Sequence, residues 1–230
     1  MNRPALIVFT VVLTVGLYAL SRMIYLRTRN ALLAPLLLST AAIIVTLHIC
    51  GITFEQYQPG KAIMTFLLGP ATVGLAMPLY QNRRILRESF VLILVAIVCG
   101  SVATLTTAVV LAKLGGLDTL IVKSIATKSI TAPIAIEVSR IVGSDPAIAA
   151  AFVILTGTLG SMIGPGFLSL CRITDPVARG LAMGVASHGQ GTATILQEGQ
   201  IQGAMAGVAM GVAGVFTSFI APFIIPWLAG

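Results

Sequence analysis

The stretch ATKSITAPIA, residues 126–135, places a lysine, several hydroxyl side chains and a proline inside a long apolar region. An ammonium group at the centre of a bilayer costs about 2.5–3.5 kcal/mol on insertion scales, so a lysine held there marks function. How the chain passes through this stretch decides the fold, because segment 119–142 either crosses a membrane or dips in and returns.

The composition makes a membrane the relevant solvent. Hydrophobic residues make up 57% of the 230-residue chain and charged residues only 9%, far from the roughly 25% charge of soluble domains. The net charge of +7 comes from basic residues scattered singly between apolar runs. They read as topology signals and not as a nucleic-acid footprint. The chain reads as a multi-pass membrane protein with one transmembrane domain, and a homo-oligomer is compatible with it.

Working outward from the opening stretch, apolar segments lie near 4–20, 31–52, 62–81, 89–114, 119–142, 147–171, 177–197 and 203–229. Short polar loops such as FEQYQPGK, KLGGLD, GSDP and RITDPVAR separate them. Two segments are interrupted: 62–81 by Gly69, Pro70, Gly74 and Pro78, and 177–197 by Gly184, Gly189 and Gly191. Irregular backbone survives in lipid only where protein or a wet cavity covers it, and paired broken helices mark a transporter's binding site. These features predict an all-α polytopic fold of about seven spans plus a re-entrant hairpin over about 119–142, with two broken helices. Inverted repeats are expected over about 31–114 and 147–229. Re-entry of 119–142 gives the stronger arginine bias toward one face, placing Arg83, Arg84, Arg87, Arg172 and Arg179 together. The N-terminus and Lys113 are then outside and the C-terminus inside.

The KSITAP tip is expected to be non-helical, with Pro133 disfavouring helix at Ala132 and with Ser129 and Thr131 bonding the freed backbone. The alternative is a proline-kinked helix whose Lys128 snorkels to the interface. Glu137 lies three residues before Arg140 and is expected to pair with it, leaving Lys128 for an anionic substrate. In the second broken segment Ser187, His188, Gln190 and Thr192 cluster among aliphatic residues. With Thr72 of the first, these residues and Lys128, Ser129 and Thr131 are the candidate substrate-binding set for a small carboxylate. His188 has a side chain able to carry a coupling proton, or it is a buried histidine bonded to a neighbouring helix.

The motifs KSITAPIA, ASHGQGTA, GPATVGLAMPLY and TSFIAPFIIPWL resemble the LrgB/CidB family of bacterial membrane proteins, over nearly the whole chain. The resemblance implies either modulation of murein hydrolase activity and autolysis or transport of small monocarboxylates of the pyruvate, glycolate, glycerate and lactate class, as in the related plastid carrier. It also implies an LrgA/CidA-like holin-type membrane partner. Two positions depart from the family pattern: Thr127 stands where proline is common, and Gly189–Gln190 where Ala-Leu is common.

Catalysis is not expected, since the chain has no G-x-S-x-G elbow and no H-E-x-x-H, and adjacent Ser187 and His188 do not point at each other. Cys50, Cys99 and Cys171 show no metal-like spacing, and no cofactor motif is present. Gly203, Gly207 and Gly211, like Gly160 and Gly164, read as close helix packing. An intramembrane lysine near hydroxyls suits a carrier better than a non-transporting regulator acting through the partner.

Overall fold

The computed structural model describes residues 3–28, 33, 35–74, 80 and 83–229, without the side chains of residues 3, 36, 68–74, 85 and 86. The elements are α1 (Arg3–Thr28), α2 (Pro35–Ile49), α3 (Phe54–Gly74), α4 (Arg83–Glu88) and α5 (Phe90–Leu114). There follow α6 (Thr119–Ile125), α7 (Ala132–Val142), α8 (Pro146–Leu170), α9 (Pro176–Ile195) and α10 (Gln200–Ala229). Among the described residues, four helices are long and apolar enough to cross a membrane: Pro4–Thr28, Phe90–Leu114, Pro146–Leu170 and Gln200–Ala229. Large apolar side chains such as Leu92, Leu111, Ile154, Phe219 and Trp227 point outward, as a bilayer requires. The protein is an all-helical multi-pass membrane protein.

The chain divides into two compact units, residues 1–74 and 75–230. In the first, α1 packs on α2 and α3. Gly60 lets α3 approach Thr10, where any side chain would collide with the threonine, and Thr14 shares a 2.9 Å hydrogen bond with Tyr57. The polar run FEQYQPGK, expected as a loop, belongs to α3, whose backbone is helical through Gly69 and Pro70. Leu75–Pro78, including the Pro78 of the expected break, lies outside the described residues.

The second unit carries the sequence's clearest start signals. Asp118, Asp145 and Asp175 each cap the helix that follows by accepting backbone N–H bonds, and prolines 146 and 176 stand in the first turns. Gly143 ends α7 in the left-handed conformation, φ 67°. The long helices α5 and α10 run parallel. Ile93 and Ile97 pack with Met205 and Ala209 near the helix starts, and Lys113 donates to the Leu228 carbonyl at 3.0 Å near the ends. The sequence reading put Lys113 and the C-terminal end on opposite faces; this contact puts them on the same one.

The reason is α9. Its backbone leaves the helical range at His188, with φ 42° and ψ −134°, and reverses. A methyl group on Gly191 would meet Met183 O at 2.5 Å and Ser187 Cβ at 2.6 Å, which is impossible in a straight helix that separates residues eight apart by about 12 Å. Segment 177–197 is thus broken, as expected, but it folds back instead of continuing across. Arg179 and Glu198 close the base of this hairpin.

Segment 119–142 also returns. After α7 the Asp145 N–H donates to Ser124 Oγ at 3.3 Å, bringing the chain back to α6. Ile134, in the first turn of α7, reaches Gly214, halfway along α10. The break lies at residues 126–131, held by Lys128 N–H to Ile125 O and Ile130 N–H to Thr127 O turns. Pro133 opens α7 rather than excluding it: Ala132 is already helical, and Thr131 is an extended N-cap residue whose hydroxyl makes no cap bond.

Candidate functional site

The fold-back of α9 is built on α8. Gly164, Gly160 and Gly157 successively face Met183, Ser187 and the His188–Gln190 turn, and a methyl group on any of them would collide. Gly160 and Gly164 are the close-packing positions the spacing suggested; Gly157 extends the row. In α10 the pattern holds only for Gly203, which abuts Leu196; Gly207 and Gly211 have open space.

At the tip, His188 is 6% exposed. Its Nε2 lies 3.0 Å from the Val153 carbonyl of α8, so Nε2 carries the proton and donates. The Thr192 hydroxyl donates to the His188 carbonyl at 2.8 Å, satisfying backbone that the turn leaves free. Thr192 was expected to serve substrate, but its proton is spent inside the hairpin. Gln190 pairs with Thr158 of α8 at 3.2 Å. Ser187 is buried against Gly160.

The second tip carries the lysine. Lys128 is half-buried and donates to Ser129 Oγ at 3.1 Å. It has no acidic partner among the described residues, since Glu137 pairs with Arg140 at 2.7 Å, as the spacing predicted. The Lys128 charge lies within electrostatic reach of His188. Of the candidate set, His188, Gln190 and Thr192 share the α9 turn and Lys128 and Ser129 the 126–131 break. Thr131 stands at the start of α7. The side chain of Thr72, at the end of α3, lies outside the described residues.

Sequence reasoning missed three features of this site: Thr158, the Val153 carbonyl and the Arg179–Glu198 clasp. Arg179 is 7% exposed and spends every guanidinium donor. It bonds both Glu198 oxygens at 2.7 and 2.6 Å, the Ile173 and Pro165 carbonyls at 2.9 and 3.1 Å, and Ser169 Oγ at 3.3 Å. The missed signal was a pair of opposite charges bracketing a glycine-broken segment too short to cross twice.

A groove of about 700 Å³ lies elsewhere, between α5 and α9, lined by residues such as Leu92, Ala96, Gly100, Ala178 and Leu181. It contains no cation and does not suit an anion. The paired tips do.

The match that decides the family covers residues 14–227, nearly all of the chain, and is to the LrgB-like family. The chain belongs to the LrgB-like family. YwbG of Bacillus subtilis (strain 168) is 34% identical over 216 residues, covering 94% of this chain and 96% of its own. The antiholin-like proteins LrgB of Bacillus mycoides (strain KBAB4) and Bacillus cereus (strain B4264) are each 33% identical over 221 residues, covering 96% of both chains. No solved structure matches this LrgB-like chain.

Proposed function

We propose that this LrgB-like protein is a non-catalytic carrier of small monocarboxylates in the bacterial plasma membrane. The observation that carries the reading is Lys128: a half-buried ammonium at a backbone break, with no acidic partner among the described residues and with the His188 turn in reach. An ammonium in such a place attracts a carboxylate, and irregular backbone at membrane depth is tolerated where it lines a cavity.

In this reading both hairpins are re-entrant, α6–α7 from one face and α9 from the other. The inverted repeats then pair α5 and its hairpin with α8 and its hairpin, a shorter unit than the 31–114 and 147–229 halves read from the sequence. Binding sites of secondary carriers lie near the midplane at the junction of inverted repeats.

A second reading draws on the relatives' names. Two of them are called antiholin-like, which favours action through an LrgA/CidA-like partner to control a holin-type pore. Purified protein in liposomes, with and without such a partner, separates the two. Saturable uptake of radiolabelled lactate or pyruvate in either preparation supports the carrier. Absence of uptake in both supports the regulator.

A further inference from the structure

The groove between α5 and α9 changes character at its mouth. Both helices start there, α5 after Ser89 and α9 after Asp175, and these two residues line the opening. Between them and Thr104 at the far end, every lining residue is apolar, and the Thr104 hydroxyl is spent on the Ser101 carbonyl at 3.0 Å. Many of the wall residues are small, among them Ala96 and Ala103 on α5 and Ala178 and Ala182 on α9. Gly100 brings the helices together at the floor, since a methyl group there would stand 3.1 Å from Val185 Cγ1. From Asp175 to Ala186, short of the reversal at His188, α9 rises about 16 Å, close to one leaflet of a hydrocarbon core of about 30 Å.

The groove itself carries no cation, but the chain on either side of its mouth does. Arg87 lies two residues before Ser89, and Arg172 three before Asp175. Both are exposed, and neither has an acidic partner among the described residues. The other charges nearby are engaged. Arg84 pairs with Glu88 at 2.7 Å, Arg83 lies over the Tyr80 ring at 4.3 Å, Asp175 accepts the Ala178 N–H, and Arg179 is taken by Glu198. The Ser89 hydroxyl makes no cap bond. Arg172 has a φ of 59°. It follows the C-cap Cys171 of α8, where its N–H donates to Ser169 O at 3.0 Å and that of Ile173 to Leu168 O at 2.9 Å. Glycine fills the left-handed position of this closing pattern without steric cost. An arginine there keeps a cation near the groove mouth against that preference.

We propose that the groove holds one acyl chain of an anionic phospholipid whose phosphate sits against Arg87, Arg172 and Ser89. The proposal is independent of what the protein carries. Lipid tails are as apolar as the walls, so the groove selects a chain by shape and the affinity comes chiefly from the arginines, whose planar forks match phosphate oxygens.

Native mass spectrometry of the purified full chain, titrated with palmitoyl-oleoyl phosphatidylglycerol or with the phosphatidylcholine of the same chains, tests this. Phosphatidylglycerol is expected to be retained several-fold over phosphatidylcholine. Arg172→Gly, which relaxes the positive φ, combined with Arg87→Gln, is expected to fold and to bring the ratio near one. Ala96→Phe, which fills the groove from an exposed position and leaves both arginines, is expected to lower phosphatidylglycerol retention several-fold. Equal retention of the two lipids by the wild type overturns the proposal, as does a preference that survives the arginine changes. Full retention in Ala96→Phe also overturns it, by assigning the lipid to surface charge alone. Displacement of the lipid by an equal concentration of inorganic phosphate does the same, because the chain then contributes nothing. A lipid-free dimer that Ala96→Phe dissociates gives the groove to a second copy and overturns it too.

Discussion

The two hairpins of the second unit do the same geometric job with opposite means. The α6–α7 turn is held by short backbone bonds and apolar packing, with Val122, Ala126, Ile130 and Ala135 in one cluster with Leu105 and Ile225, and it leaves its single cation uncompensated. The α9 turn is fixed by ionic and polar bonds, with Arg179 saturated at its base and His188 and Thr192 bonded at its tip. The difference teaches which charges are structural. Arg179 has used all its donors and has nothing left for a ligand; Lys128 has used one.

Removing those two charges breaks the comparison most sharply. Lys128→Ala is expected to abolish uptake in liposomes while leaving expression, insertion and melting temperature near wild type; normal uptake at low substrate concentration would return Lys128 to a snorkelling role. Arg179→Ala should act the other way, through stability. Stripping one partner from a buried ion pair costs about 3–5 kcal/mol, and the low end applies because the Glu198 side chain is 30% exposed. Thermal unfolding in detergent reads the loss directly, and an unchanged midpoint would show the hairpin base to be held by packing alone.

The membrane relation of the hairpins is open to chemistry as well. With Cys50, Cys99 and Cys171 replaced, single cysteines at Ser144 and Gln197 mark the two bases. An impermeant maleimide should label them from opposite faces, and labelling from one face would end the re-entrant model.

Smaller effects sharpen the contrast. Gly157→Ala forces the imidazole off Val153 and should cost about 1–3 kcal/mol, the usual range for overpacking. Gly207→Ala, with open space around it, should be neutral or stabilise α10 by up to about 1 kcal/mol through helix propensity. Equal midpoints for these two variants would mean that α8 yields at the tip.

Much of this was legible in the sequence, for local reasons. Asp-Pro pairs at 145–146 and 175–176 announce helix starts because the carboxylate caps and the proline needs no donor. KSITAP announces a break, and Glu137 three residues before Arg140 announces their pairing. The fold-back of α9 was not legible from its glycines, which serve an in-line break and a reversal equally well. What decides it is Arg179 meeting Glu198, a contact between residues nineteen apart that local spacing does not reveal. The polar run at 54–61 misled for a related reason: Tyr57 finds Thr14 of α1, so polarity that reads as a loop is satisfied inside the first unit.

The shortness of α6 bears on how the protein is made. Its seven residues extend about 10 Å, a third of a hydrocarbon core of about 30 Å. Such a helix cannot be released into lipid as an independent span, because the unsatisfied groups at its inner end would face hydrocarbon. It packs against α5, α8 and α10, and α10 is the last of these to leave the ribosome. In the re-entrant reading, biogenesis runs against chain order here: the hairpin that is synthesised first waits near the interface until the C-terminal helix has been inserted.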